Sequence, residues 1–263
     1  FHKLAKAKVK KFYIEKPFAD SIKKIDEINN FAKKNKINIV SGFQLRHSGL
    51  PEKIKNISLD VLDGEPNFIS VSGGANCLVT NGIHYLDLAV SIFQSTPETV
   101  ISSLNLDNIN PRGKHLGFWD GSSSWKFKNG ASLNISFTNK SSVRLKFEIY
   151  SKNGYLEVSD HGDYATINVF KRNTDEIIID PRIIRTGYAH YDKINSIKKF
   201  DLSKTVLNLF LTLKEGKYFF NLERETIATK CILGSLIANH EKKLMFLPIL
   251  KENICYNKGW PVS

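Results

Sequence analysis

Hydrophobic and polar positions change period along this chain, and the changes mark its elements. Lys11-Phe12-Tyr13-Ile14 reads as a short strand that Pro17 stops. Ile22, Ile25, Ile28, Phe31 and Ala32 then recur at helical spacing through about Lys34, with Asp20 as the N-cap. A second strand is predicted from Ile37 to Leu45. Strand, helix and strand within about 35 residues make a βαβ unit, and such units build parallel sheets. Gly73-Gly74 precede a short segment, and Ile83 to Phe93 reads as a helix. The pattern then turns strand-like. Glu98–Leu106, Ser122–Phe127, Ala131–Phe137, Val143–Tyr150, Tyr155–Val158, Ala165–Phe170 and Glu176–Ile179 follow one another. Asn129-Gly130 and Asn153-Gly154 fall between neighbouring runs and predict two hairpins, hence an antiparallel sheet. Helical spacing returns in Val206, Leu207, Leu209, Phe210 and Leu213. It returns again from Ile227 through Cys231, Ile232, Gly234, Ser235 and Ala238 to a lysine-rich end at Lys242 and Lys243.

The order predicts two parts. Residues 1–47 form a parallel α/β piece, and residues 48–263 form an α+β domain with a large, open, mainly antiparallel sheet and flanking helices. Apolar residues make up 41% of the 263, enough for a real core, which excludes wholesale disorder. No apolar run approaches the roughly 18 residues a membrane span needs. The first residues carry lysines with no apolar stretch behind them, so no secretory signal is expected. Cys77, Cys231 and Cys255 stand far apart, which argues against a disulfide framework or a cysteine zinc site and favours a cytoplasmic setting. The net charge of +12 is concentrated at the start: residues 1–36 hold eleven lysines against four acids. Such a start either is a solvated lysine-rich face or attracts nucleic acid or anionic lipid, and no motif for nucleic acid accompanies it.

Two segments could carry chemistry. Glu15-Lys16-Pro17 stands where a strand ends, and ligands of open α/β sheets bind beyond such ends. A lysine there either bonds a ligand hydroxyl or is one surface lysine among many. In Thr80-Asn81-Gly82-Ile83-His84-Tyr85-Leu86-Asp87, a helix starting near Gly82 puts His84 and Asp87 on one face at i, i+3, with Thr80 and Asn81 close by. His84 suits acid–base work at neutral pH, with Asp87 orienting it or raising its pKa. A plain helix-face pair is the alternative. Arg46 either binds a ligand or forms a salt bridge. Tyr188, His190 and Tyr191 either line a sugar pocket or belong to an ordinary loop. Trp119 and Trp125 need only packing. His115 and His161 show no ligand-like spacing, and no metal motif is present.

Taken in order, Glu15-Lys16-Pro17, the strand ending Ser41-Gly42-Phe43-Gln44-Leu45-Arg46, Gly73-Gly74, and Asn81-Gly82-Ile83-His84-Tyr85-Leu86-Asp87 resemble the glucose–fructose oxidoreductase, inositol dehydrogenase and MocA-like (Gfo/Idh/MocA) family. The run from Ile232 to Lys243, with Leu247-Pro248 after it, resembles that family's last helix and its Leu-Pro. The resemblance covers about residues 9 to 250. It implies an NAD(P)-dependent oxidoreductase of sugars, cyclitols or sugar nucleotides, with NAD or NADP as cofactor. Lys16 would touch nicotinamide and substrate, His84 would be the acid–base, Thr80, Asn81 and Asp87 would support it, and Glu15, Pro17 and Arg46 would border the cofactor. It also implies a homo-oligomer through the open sheet, with no nucleic acid or membrane partner. Many members carry an aspartate four residues before the histidine, where this chain has Thr80. The family's G-x-G-x-x-G turn occurs nowhere in the sequence. The first part is therefore expected to be an incomplete Rossmann-like piece and the chain a fragment or natural truncation, with Lys3 to Lys11 on a helix face. The alternative reading is a non-catalytic relative that serves as a binding or assembly subunit.

Overall fold

The structure is a computed structural model and describes residues 1–107, 113, 116–172, 191–215 and 221–262. A short helix α1 (His2–Lys6) leads into β1 (Lys11–Ile14), α2 (Ile22–Asn35) and β2 (Asn38–Ser41). β1 and β2 pair in parallel, as the βαβ reading required. The early helix is shorter than expected, because Lys11 already belongs to the strand. Phe1 instead packs its ring edge on Phe12 and Phe31. Ser21, not Asp20, caps α2: its side chain accepts from the Lys24 amide at 3.3 Å. Asp20 pairs with the Lys24 ammonium one turn along.

The second strand stops at Ser41 rather than Leu45, and packing explains why. The Ser41 amide donates to Glu225 Oε2 and its hydroxyl to the Glu225 carbonyl, each at 2.7 Å. At Gly42 a β-carbon would stand 2.7 Å from the Tyr13 hydroxyl, so a larger residue there would displace the Tyr13 and Glu15 side chains. The chain then tightens into a 3₁₀ turn over Gln44–His47. It continues as α3 (Leu50–Leu62), β3 (Phe68–Gly74), a wide π-type turn at Leu78–Gly82 and α4 (Ile83–Phe93). The glycine pair thus closes a strand that the hydrophobic pattern does not set apart.

The remaining strands are β4 (Pro97–Asp107), β5 (Phe118–Phe127), β6 (Ser132–Thr138), β7 (Lys146–Ser151), β8 (Gly154–Asp160), β9 (Tyr164–Arg172) and β10 (Tyr191–Asp201). They are followed by α5 (Thr205–Glu215), α6 (Leu222–Glu241) and β11 (Met245–Phe246). Both Asn-Gly hairpins form, joining β5 to β6 and β7 to β8. The sheet order is β10-β9-β8-β7-β3-β6-β5-β4-β11. β3 lies in its middle, antiparallel to β7 and parallel to β6, the sole parallel pair among the nine strands. The segment Glu176–Ile179 lies outside the described residues.

Alternation decides which side of the sheet is covered. Val71, Leu133, Ile135, Phe147, Ile149, Leu156, Val158 and Val169 are buried and face the helices. Side chains on the other face are mostly small, polar or aromatic and partly exposed, with the aliphatic Ile101 exposed among them. Phe68, Tyr150, Tyr155 and Phe170 form an aromatic row across four strands of that face, with Tyr155 and Phe170 stacked at 4.7 Å. α6 runs under β4, where Asn239 satisfies both the amide and the carbonyl of Leu104. Trp125 is buried and donates to the Cys231 carbonyl, and Trp119 packs on Trp260, so both tryptophans are core residues. The three cysteines are free and buried. No helix among the described residues is long and apolar enough to cross a membrane.

Candidate active site

The end of β1 and the start of α4 meet although 64 residues separate them in the chain. Lys16 Nζ donates to the Thr80 carbonyl at 2.7 Å, inside the π-type turn. That turn is held by Asn81, whose Oδ1 accepts from the Cys77 amide at 3.1 Å and from the Thr80 hydroxyl at 3.3 Å. Thr80 therefore serves Lys16 through its backbone, and Asn81 shapes the loop that carries both. Glu15 is exposed and accepts from the Tyr13 hydroxyl and from the Lys16 amide.

His84 sits in the first turn of α4, edge-to-face with the Phe43 ring at 6.2 Å between ring centres. Burial pushes its pKa down to about 3, and the Lys16 ammonium adds to the fall. The imidazole is thus neutral at neutral pH: it can accept a hydrogen bond from a hydroxyl, but without a ligand it holds a proton only weakly. It borders a cavity of about 430 Å³. Gln44, Asn81 and Tyr85 line the same cavity, as do Asp160 and Asp163 from the β8–β9 turn, and α5 closes one side with Thr205 and Val206.

Two expected site residues belong elsewhere. Asp87 does not orient His84, because two arginines hold its carboxylate. Arg224 Nη1 donates to Oδ1 at 2.6 Å, and Arg46 Nε lies 3.2 Å from Oδ2. Arg46 is engaged in the same way. It is buried, forks onto Glu225 at 3.0 and 3.1 Å, and lies over the Phe43 ring at 5.1 Å. The salt-bridge alternative for Arg46 is the one realised. Burial raises the Glu225 pKa, and Arg46 and the Ser41 amide work against that rise.

Tyr191 opens β10, and its ring edge meets Tyr155 on the open face of the sheet, away from the cavity. Tyr188, His190 and His115 lie outside the described residues. His161 stacks on Tyr164 at 4.4 Å. Asp160, Asp163, Tyr85 and Gln44 join the site without having stood out in the sequence. Asp160-His161-Gly162-Asp163 does announce a turn, but nothing local says that the turn faces α4. No cluster of three metal-binding side chains occurs among the described residues.

No protein-family model and no curated protein matches the sequence. Solved structures do match its fold. The transcriptional regulator Gal80p from Kluyveromyces lactis superposes with a TM-score of 0.65 at 13% identity, over 93% of this chain and 69% of that one. An oxidoreductase from Agrobacterium radiobacter, solved with NAD+, L-tartaric acid and magnesium, gives 0.62 at 13% identity, over 89% and 72%. The aldose-aldose oxidoreductase from Caulobacter crescentus, complexed with glycerol, gives 0.63 at 15% identity, over 89% and 71%. The chain thus has the fold of NAD(P)-binding oxidoreductases of the Gfo/Idh/MocA type. At these identities the likeness is one of fold.

Proposed function

We propose that the protein is an NAD(P)-dependent oxidoreductase that moves a hydride to or from a hydroxyl-bearing carbon of a sugar-like substrate. One observation carries this reading: Lys16 donates to the Thr80 carbonyl in the turn that leads into α4, and its charge acts on His84, which borders a cavity. In the oxidative direction the neutral His84 takes the hydroxyl proton while Lys16 holds the substrate oxygen. Bound NAD or NADP would supply the hydride chemistry. Lys16 and its neighbours Glu15 and Pro17 fit the nicotinamide end, since they stand at the carboxyl end of β1 next to His84. For the pyrophosphate the sequence offers no G-x-G-x-x-G turn.

The two-part division at residues 47 and 48, a cytoplasmic setting and a homo-oligomer belong to the same reading. The free buried cysteines suit the setting. The aromatic row on the open sheet face suits self-association. The non-catalytic alternative has support of its own: Thr80 stands where the family resemblance implies an aspartate, and one structure of this fold is a transcriptional regulator.

Titration of the chain with NADH and NADPH, followed by nicotinamide fluorescence and calorimetry, tests the cofactor. Saturable binding is expected, and none at millimolar cofactor overturns this part for the chain. His84→Ala tests the acid–base role. A fall in kcat of at least about 100-fold with cofactor affinity kept is expected. Equal turnover in both forms, or none in either, favours the binding subunit.

A further inference from the structure

We propose that Asp160 and Asp163 make the His84 cavity selective for neutral or cationic polyols and exclude anionic ones, sugar nucleotides included. The inference rests on the sugar-like substrate proposed above and narrows it by charge.

The β8–β9 turn is built to present these carboxylates. Gly162 takes a left-handed conformation, φ +88°, which reverses the chain between the two aspartates. The Gly162 amide donates to Asp160 Oδ1 at 2.7 Å and fixes that side chain. Leu202 donates its amide to the Asp163 carbonyl at 2.7 Å, tying the turn to the segment before α5. Asp160 faces into the cavity toward Tyr85. Burial chiefly raises that phenol's pKa, and the Asp160 charge raises it further.

Opposite this negative wall stand neutral groups. His84 is uncharged, Gln44 and Asn81 are amides, and no lysine or arginine lines the cavity among the described residues. Lys16 donates to the Thr80 carbonyl beside His84. A phosphate or carboxylate that reached the β8–β9 turn would lie near two like charges, while Lys16 is engaged with the Thr80 carbonyl and, in the reading above, with the reacting hydroxyl. A polyol would give its hydroxyl protons to the same oxygens in charge-assisted hydrogen bonds, and an ammonium group would gain further.

Three sugars of one size separate these cases: D-glucose, D-glucosamine and D-glucuronate. Their dissociation constants for this chain can be read by ligand-observed NMR at low ionic strength. D-glucuronate should bind at least about tenfold more weakly than D-glucose, and D-glucosamine at least as tightly as D-glucose. In Asp160→Asn/Asp163→Asn the gap between glucose and glucuronate should shrink to about twofold. Asparagine keeps the acceptor for the Gly162 amide, and exposed Asp163→Asn alone gives half the test if the turn does not tolerate the double change. Glucuronate binding as tightly as glucose, or a gap unchanged in the variants, overturns this proposal and leaves the sugar reading standing. Binding of none of the three overturns the sugar reading and this proposal with it.

Discussion

His84 and Asp87 stand three positions apart on α4 and have opposite fates. His84 borders a cavity as a neutral base with a soft, partly polar surround. Asp87 is buried in a cluster of two carboxylates and two guanidinium groups, with Arg46, Arg224 and Glu225. The cluster ties β2, the 3₁₀ turn, α4 and α6 together, so it holds the cavity wall without touching what binds there. Phe43 belongs to both regions: its ring packs edge-to-face with His84 and its face lies under Arg46. Ionisable residues of similar appearance in the sequence thus divide into one that can react and others that hold it in place. What separates them is whether a fixed counter-charge lies within bonding distance.

Removing that counter-charge should have the largest effect. Arg46→Met leaves Glu225 buried without its fork and should cost about 3–5 kcal/mol in urea unfolding. Arg46→Met with Glu225→Gln should cost less than Arg46→Met alone. An equal or larger loss in the double variant would mean that the cluster is not held by this pair.

Acid should act next, through two histidines kept neutral by the fold. Burial holds His84 at about 3 and His47 at about 4, with Arg46 and Arg224 adding to the fall at His47. The unfolded chain takes up these protons near pH 6.5 and the folded chain does not, so stability rises with pH through this window. Above about pH 6.5 the contribution is complete. At pH 5 each histidine should cost about 2 kcal/mol, lost further as pH falls toward the folded values. Thermal melts of wild type and His47→Gln/His84→Gln check it: the variant should lose less stability between pH 7 and pH 5. Parallel curves would refute the assignment.

Phe43→Leu should have a smaller effect on stability, about 1 to 1.5 kcal/mol, and a distinct one on His84. With the ring gone and water nearer, the His84 pKa should rise toward its ordinary value, as read from its ring protons by NMR. The smallest effect belongs to His84→Gln at pH 8. It should change stability by less than about 1 kcal/mol, since it removes no described ion pair. A loss as large as that of Arg46→Met would erase the distinction between the two regions.

Much of the fold was legible because local rules govern it. Ile83–Phe93 coincides with α4, and a hairpin forms at each Asn-Gly: Gly130 turns the chain with φ +86°, whereas Gly154 opens β8, where a β-carbon would clash with the Phe170 carbonyl oxygen. α3 and β3 were not separated from their surroundings. β3 joins strands from two later hairpins, and no pattern within seven residues announces such partners. At the site, Lys16 and His84 stand out in short motifs. The role of Arg46 depends on Glu225, 179 residues away, and that of Asp87 on Arg224, 137 residues away.

The sequence by itself determined the periods, the hairpins, the βαβ start, and the two residues proposed for chemistry. These follow from sterics and from patterns of a few residues. Only the tertiary structure decided which charges are neutralised in the interior, that Lys16 lies on the Thr80 carbonyl, and that two aspartates from a distant turn line the cavity of His84. Electrostatic role depends on distance in space and on exclusion of water, and neither is written in the order of the residues.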